Sequence, residues 1–266
     1  MKSRITKKFQ QLKEENKKAL ITYITAGDPD LDTTHHLVLE MERAGADIIE
    51  LGIPYSDPLA DGPVIQRAAQ RALEAGANIS SIFQLVEKLR EKTQIPLVFL
   101  VYYNCVFKYG IERFLDNCCR SGIDGLIIPD LPLEERRELQ EIMKGYPIDL
   151  IPLVAPTSEE RIEAIVKDAE GFIYCISSMG VTGRRQGFDI NLDNFLQKVR
   201  KYTDVPLALG FGISTPEMVE SLKHLCDALI VGSAIIEKIE EAIPKGEVKK
   251  DVYDFVKKLD EAKNIA

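Results

Sequence analysis

The sequence DIIELGIPYSDPLADGPVIQRAAQRALEAG occupies residues 47–76. Its first six residues form a short, almost continuously apolar run, which is typical of a strand buried on both faces of a parallel sheet. A loop with three prolines follows, and residues 64–76 then carry apolar positions at helical spacing and end in a glycine. This strand–loop–helix order is one unit of an α/β fold, and its recurrence along the chain decides the architecture.

The unit recurs from one end of the chain to the other. Eight short runs rich in Ile, Val and Leu are predicted strands: 19–25, 47–52, 96–102, 125–129, 149–154, 172–176, 205–210 and 228–232. Helical patterns lie between them at 32–44, 64–76, 79–93, 111–121, 133–144, 158–169, 191–202, 216–224 and 233–241. Eight such units in about 240 residues predict a (β/α)8 TIM barrel, with a doubly wound open sheet as the alternative.

Two more amphipathic helices flank the repeats. Ile5, Phe9 and Leu12 form an apolar stripe that we expect to cover the N-terminal end of the barrel. A second stripe, expected to pack on the outside, is formed by Val252, Phe255, Val256 and Leu259. No linker or low-complexity stretch divides the chain. We therefore predict a single α/β domain over residues 1–266, a TIM barrel with an extra N-terminal helix and extra helices.

Composition narrows the classes of function. Lys and Arg number 34 and Asp and Glu 42, so the net charge of −8 argues against a general nucleic-acid binder. No apolar run approaches the roughly 18 residues of a membrane span, and no apolar signal region follows Met1. We expect a cytoplasmic protein. The five cysteines are odd in number and lack a C-x-x-C spacing, which favours reduced thiols.

Acidic side chains lie near the C-terminal end of the second predicted strand and in the loop after it, at the end of a barrel where active sites lie. Glu50 interrupts an apolar run, and burying an unpaired carboxylate is costly. Such burial would raise its pKa and suit it to general acid–base catalysis near neutral pH. The alternative is a structural glutamate tied to the backbone or to an arginine. Asp57 and Asp61 in the next loop are either functional or simply turn residues.

Small residues end the seventh and eighth predicted strands. Gly210, Gly212 and Gly232 permit close approach of the backbone, and the amides at the following helix N-termini attract anions. A phosphate site is therefore expected here, although the glycines could serve only to turn the chain. Residues 177–187 contain three glycines and predict a mobile lid, whose two arginines are most simply solvated charges.

Other kinds of chemistry have no obvious residues. No lysine lies in a predicted strand, so a Schiff-base mechanism lacks a candidate. His35, His36 and His224 all fall in predicted helices, which disfavours a histidine metal site at the strand ends. Carboxylates are left as the candidates for acid–base work.

The second strand and its loop carry a family resemblance. Residues 50–63, ELGIPYSDPLADGP, closely resemble the signature of the tryptophan synthase alpha chain family. Supporting segments are TAGDP at 25–29, GVTG at 180–183, GFGIS at 210–214 and GSAI at 232–235. The resemblance thus runs from the first predicted strand to the eighth.

The resemblance implies an activity, the retro-aldol cleavage of indole-3-glycerol phosphate to indole and glyceraldehyde 3-phosphate. In the family, the glutamate matching Glu50 is the general acid–base and the aspartate matching Asp61 holds the indole nitrogen. Tyr174 matches a residue near the substrate glycerol, and Thr182 matches a lid residue that helps to position the loop carrying Asp61.

This substrate suits both predicted features of the barrel mouth. Its phosphate would meet amides near Gly183, Gly212, Gly232 and Ser233. Its indole would lie against an apolar wall, for which the candidates are Tyr23, Leu100, Tyr102 and Phe211.

The resemblance also implies a partner. Family members join a beta chain that uses pyridoxal phosphate, in an αββα heterotetramer, and no cofactor is expected in this chain itself. The family's contact surface includes the Asp57 loop, Asn104 and the segment 130–132. Residues 177–179 and 184–186, beside the lid, differ from some relatives, while the catalytic pair is intact. Two other functions stay open: a regulatory subunit without turnover, and another phosphate-binding barrel enzyme such as a sugar-phosphate isomerase or epimerase.

Overall fold

The fold is known from a computed structural model that describes residues 3–176, 188–210 and 212–264. Within these residues the strands are β1 (Ala19–Thr25), β2 (Ile48–Gly52), β3 (Leu97–Leu100), β4 (Gly125–Ile127), β5 (Asp149–Ile151), β6 (Leu153–Val154), β7 (Ile173–Ile176), β8 (Leu207–Gly210) and β9 (Ala228–Val231). They form one sheet in the order β5-β4-β3-β2-β1-β9-β8-β7-β6, and every neighbouring pair is parallel.

The two edge strands of this sheet, β5 and β6, are consecutive in the sequence and are separated by Pro152 alone. Proline has no N–H to donate to a ladder, so it divides one predicted strand, 149–154, into two. Its carbonyl still accepts a hydrogen bond from the Tyr174 amide at 2.9 Å. If β5 and β6 are counted as one interrupted strand, the sheet has the eight strands of a (β/α)8 TIM barrel, as predicted.

Helices surround the barrel. Those in the described residues are α1 (Arg4–Glu14), α2 (Leu31–Ala44), α3 (Pro63–Glu74), α4 (Ile79–Arg90), α5 (Tyr103–Tyr109), α6 (Ile111–Ser121), α7 (Leu133–Met143), α8 (Ile162–Val166), α9 (Phe188–Arg200), α10 (Pro216–Leu222), α11 (Ser233–Ala242) and α12 (Val248–Asn264). The sequence did not predict α5, which has one buried residue and is too short for a periodic pattern. The predicted helix 158–169 is instead a 3₁₀ segment, Pro156–Arg161, followed by α8.

The barrel interior is closed at its N-terminal end. Ile48, on the same face of β2 as Glu50, belongs to an interior cluster that α1 plugs with Ile5, Phe9 and Leu12. The ring of Phe9 lies 6.1 Å from that of Phe172. This confirms the predicted role of the first helix, and it leaves the opposite end of the barrel for the polar side chains.

The last helix packs outside, as predicted. Helix α12 contacts α2, α10 and α11, and its Lys263 pairs with Asp47 at the start of the second βα unit. All five cysteines are free thiols. No helix within the described ranges combines the length and the apolarity that a bilayer crossing requires.

Candidate active site

Glu50 lies inside the barrel near the C-terminal end of β2. The residue is 1% exposed, and its Oε1 has no hydrogen-bond partner within the described part of the chain. Burial raises the pKa of the Glu50 carboxyl to about 8. In the part of the chain that the structure describes, neither the backbone nor an arginine hydrogen-bonds to this oxygen. A carboxyl with that pKa is mostly protonated at neutral pH and can donate a proton.

Two tyrosines point into the same chamber. Tyr23 is the partner of Glu50 in the register between β1 and β2, and Tyr174 comes from β7. Burial raises the pKa of both phenols well above the usual value, and the charges of Asp61 and Glu50 raise it further. Both phenols therefore stay protonated and remain hydrogen-bond donors beside the carboxyls.

Two glycines make room for these rings. A Cβ on Gly52 would lie 2.2 Å from the Tyr23 hydroxyl oxygen, and a Cβ on Gly210 would lie 2.6 Å from a ring carbon of Tyr174. Both distances are too short for any side chain. Gly210 thus accommodates Tyr174, which is a role that its place in the predicted phosphate segment did not suggest.

Asp61 reaches the site from the loop between β2 and α3. The Tyr102 hydroxyl accepts a hydrogen bond from the Ala60 amide at 3.0 Å and also hydrogen-bonds to the Asp61 carboxyl. Burial raises the pKa of Asp61 to about 6, and the contact with Tyr102 opposes that rise. Gln66 donates to the Asp61 carbonyl oxygen at 2.9 Å, which ties the loop to the first turns of α3.

Gly212, Gly232 and Ser233 lie where strands β8 and β9 end. Gly212 has a φ of +73°, and the space where its side chain would be is open. Gly232 is the N-cap of α11, no side chain in the described residues makes a capping hydrogen bond there, and Ser233 is exposed in the first turn. Backbone amides at such a helix start attract an anion. Thr182, Gly183 and Phe211 lie outside the described residues.

One wall of the mouth is apolar. Leu100 and Tyr174 are partly buried against the interior cluster, and so is Leu153 of β6. Sequence reasoning missed Leu153 as a site residue. The sequence pattern that could have identified Leu153 is the alternation of faces along the fifth predicted strand, which puts Leu153 on the same face as Ile151.

The loops around the mouth are linked to one another. The Tyr55 ring lies 5.3 Å from the Tyr102 ring, and the Asn104 amide donates to the Tyr55 hydroxyl at 3.0 Å. The Tyr103 amide donates to Asp130 at 2.8 Å. These contacts bring together the three segments that the resemblance predicted for the partner surface.

Comparison with known proteins settles the family. The family model described as tryptophan synthase alpha chain matches residues 9–264. The chain belongs to the tryptophan synthase alpha chain family. It is a carbon–carbon lyase of tryptophan biosynthesis, and it cleaves indole-3-glycerol phosphate to indole and glyceraldehyde 3-phosphate.

Three similar proteins carry the same family name. The tryptophan synthase alpha chain of Alkaliphilus metalliredigens is 68% identical over 265 residues, and the alignment covers 100% of each chain. That of Caldanaerobacter subterraneus subsp. tengcongensis is 57% identical, with 97% of this chain and 99% of the relative covered. The crystal structure of the alpha chain from Legionella pneumophila is 32% identical and has a TM-score of 0.90. The superposition covers 98% of this chain and 97% of that one.

Proposed function

We propose that Glu50 is the general acid–base of the cleavage and that Asp61 stabilises the charge on the indole nitrogen. The observation that carries the proposal is the Glu50 carboxyl inside the barrel mouth, which is 1% exposed and has one oxygen without a hydrogen-bond partner among the described residues. Its pKa of about 8 and the Asp61 pKa of about 6 lie on opposite sides of neutrality. At pH 7 the first group is thus about 90% protonated and the second about 90% ionised.

The reaction then uses each group in its prevalent state. Protonated Glu50 gives its proton to C3 of the indole ring, and positive charge develops on the ring nitrogen, where the Asp61 carboxylate stabilises it. The Glu50 carboxylate next removes the proton of the adjacent glycerol hydroxyl. A carbonyl forms as the carbon–carbon bond breaks, and the bond's electron pair returns to the ring to release indole. Glu50 ends protonated, so the proton balance closes.

We propose that the remaining site residues bind the two ends of the substrate. Tyr23, Leu100 and Tyr102 would contact the indole, with Leu153 added from the geometry of the mouth. The amides at Gly212, Gly232 and Ser233 would bind the phosphate, and Tyr174 would lie near the glycerol. Thr182, Gly183 and Phe211 stay predictions for the lid, the phosphate end and the indole wall, respectively.

An indole-release assay tests these roles. Both substitutions keep the side-chain size: Glu50→Gln removes the acid–base group and Asp61→Asn removes the stabilising negative charge. Each should lower kcat by roughly 10²–10⁴. Glu241→Gln on α11 is a control for the same substitution at an exposed site. Circular dichroism would establish that each variant is folded. If folded Glu50→Gln kept most of the cleavage rate, alone and with the beta chain, the acid–base assignment would be wrong.

We further propose that the chain assembles with a beta chain as an αββα heterotetramer, through the Asp57 loop, Asn104 and residues 130–132. Leu59 in that loop is 96% exposed and Phe107 on α5 is 66% exposed, so the surface offers apolar side chains to a partner. Leu59→Ser should weaken assembly measured by sedimentation, whereas Tyr202→Ser, at an exposed aromatic on another face, should not. Equal assembly of the two variants would contradict this surface.

Three further proposals follow from the family. Residues 1–266 act as one domain in the cytoplasm, and pyridoxal phosphate is held by the beta chain rather than by this one. Family membership supports all three, and the carboxylate chemistry above needs no cofactor. Purified chain should therefore release indole at the same rate with and without added pyridoxal phosphate. Stimulation by pyridoxal phosphate without the beta chain would contradict the assignment.

A further inference from the structure

Four charged side chains of alternating sign form a network behind the active site. Arg71 on α3 donates from Nε and Nη2 to the two carboxylate oxygens of Asp28, at 2.8 and 2.9 Å. Its Nη1 donates to Oε1 of Glu240 on α11 at 2.9 Å. Arg67, one turn earlier on α3, makes a second two-pronged contact with Glu240, at 2.9 and 2.8 Å. None of these residues was a candidate from the sequence.

The network joins α3 and α11, which each begin next to residues of the proposed site, to a third element. Helix α3 begins at Pro63, two residues after Asp61, and α11 begins at Ser233, directly after Gly232. Asp28 belongs to the loop that follows β1. At 1.5 Å per residue, Arg71 and Glu240 lie about 12 and 10 Å from the starts of their helices. The pairing therefore joins similar heights on two adjacent helices whose N-termini adjoin the proposed site.

The apolar packing of α3 is poorly suited to hold its axial position. Its buried residues are Ala68, Ala69 and Ala72, and its larger apolar side chains that pack on the core, Val64 and Ile65, are only partly buried in the first turn. Most of the inner face of the helix is therefore smooth, with few large side chains to interdigitate. An arginine fork is planar and directional, and a two-pronged contact with a carboxylate fixes position as well as attraction. Asp28 is 1% exposed, which gives the network a rigid anchor.

We propose that Arg71 and Glu240 are positioning residues for the cleavage: they set the axial placement of α3 against α11, and hence the spacing between Asp61 and the phosphate-binding start of α11. The inference rests on the proposed roles of Asp61, Gly232 and Ser233. The substrate must reach both contacts at once, because its indole nitrogen and its phosphate are at opposite ends. An altered spacing would penalise the whole substrate while leaving a fragment that uses one end unaffected.

The test compares Glu240→Gln with Glu241→Gln. The two glutamates are neighbours on α11 and the substitutions change the net charge equally, but within the described ranges the ion pair of Glu241 lies inside its own helix, with Lys238 at 2.7 Å. Glu240→Gln should lower kcat/KM for indole-3-glycerol phosphate roughly 10-fold. The dissociation constant of glycerol 3-phosphate, measured by calorimetry, should change less than twofold. Glu241→Gln should change neither quantity. Arg71→Lys, which keeps the charge and loses the fork, should reproduce the loss.

Three outcomes would overturn the inference. Glu240→Gln could behave like Glu241→Gln, or glycerol 3-phosphate binding could fall in parallel with kcat/KM, which would indicate damage to the phosphate end alone. An unimpaired Asp61→Asn would overturn both this inference and the proposed role of Asp61. If Asp61→Asn abolished cleavage and Glu240→Gln did not reduce it, only the positioning inference would fail.

Discussion

Replacing Glu50 by glutamine should stabilise the folded chain at alkaline pH while removing its activity. Glu50 is 1% exposed, one of its oxygens has no partner in the described residues, and burial raises its pKa from 4.5 to about 8. In the unfolded chain the carboxyl ionises near its ordinary pKa. Between the two pKa values the folded chain holds a proton that the unfolded chain has released, so stability is lost as the pH rises through this window.

The magnitude follows from the gap of about 3.5 pH units between the two pKa values, at 1.36 kcal/mol for each. The loss is about 1 kcal/mol at pH 5, about 3 kcal/mol at pH 7 and roughly 4–5 kcal/mol by pH 9. Glutamine has no such titration. The difference in free energy of unfolding, Glu50→Gln minus wild type, should therefore rise by about 4 kcal/mol from pH 5 to pH 9.

Urea unfolding followed by circular dichroism at pH 5, 7 and 9 measures this difference. Titrations of all other groups are common to both chains and cancel in the difference. Glu241→Gln, an exposed site with the same substitution, should give a difference that hardly changes with pH. A difference between Glu50→Gln and wild type that stayed flat across this range would refute the buried, unpartnered state of Glu50.

Three other outcomes are expected. The pH profile of kcat/KM for indole release should be bell-shaped, with midpoints near pH 6 and pH 8, because Asp61 must be ionised and Glu50 protonated. A level profile from about pH 5.5 to 8.5 would contradict those roles. Tyr102→Phe removes the hydrogen bond that lowers the pKa of Asp61, so the acidic limb should move to higher pH and kcat/KM should fall about 10-fold; an unmoved limb would count against the contact. Gly210→Ala places a Cβ 2.6 Å from the Tyr174 ring, so the free energy of unfolding measured in urea should fall by about 1–3 kcal/mol. Gly145→Ala, with open space around it, should lower the free energy of unfolding little. Equal losses in the two variants would contradict the crowding at Gly210.

Most of the fold could be predicted because its signals are local. The run at residues 19–25 predicted β1 with the bounds it has in the structure, since a strand buried on both faces is apolar throughout. The short helix α5 escaped because seven residues do not establish a period. The fifth strand was predicted as one segment, and the structure divides it at Pro152.

The candidate site was only partly readable. Glu50 was a candidate because a carboxylate within an apolar run must be buried, and Asp61 gained its role from a family resemblance. The residues around Glu50 and Asp61 could not be predicted from the sequence. Tyr102 contacts the Ala60 amide across 42 positions, and Gly210 is shaped by the Tyr174 ring, which comes from another strand. Such pairs have no spacing that a single sequence reveals.

The sequence by itself determined the βα rhythm, the barrel class and the family, because each depends on side chains that are near one another along the chain. Only the tertiary structure decided which oxygen of Glu50 has no partner among the described residues and which charges meet behind the site. Arg71 contacts Asp28 and Glu240 across 43 and 169 positions. Closure of the barrel brings these side chains together, because it sets adjacent helices side by side and turns distance along the chain into contact in space.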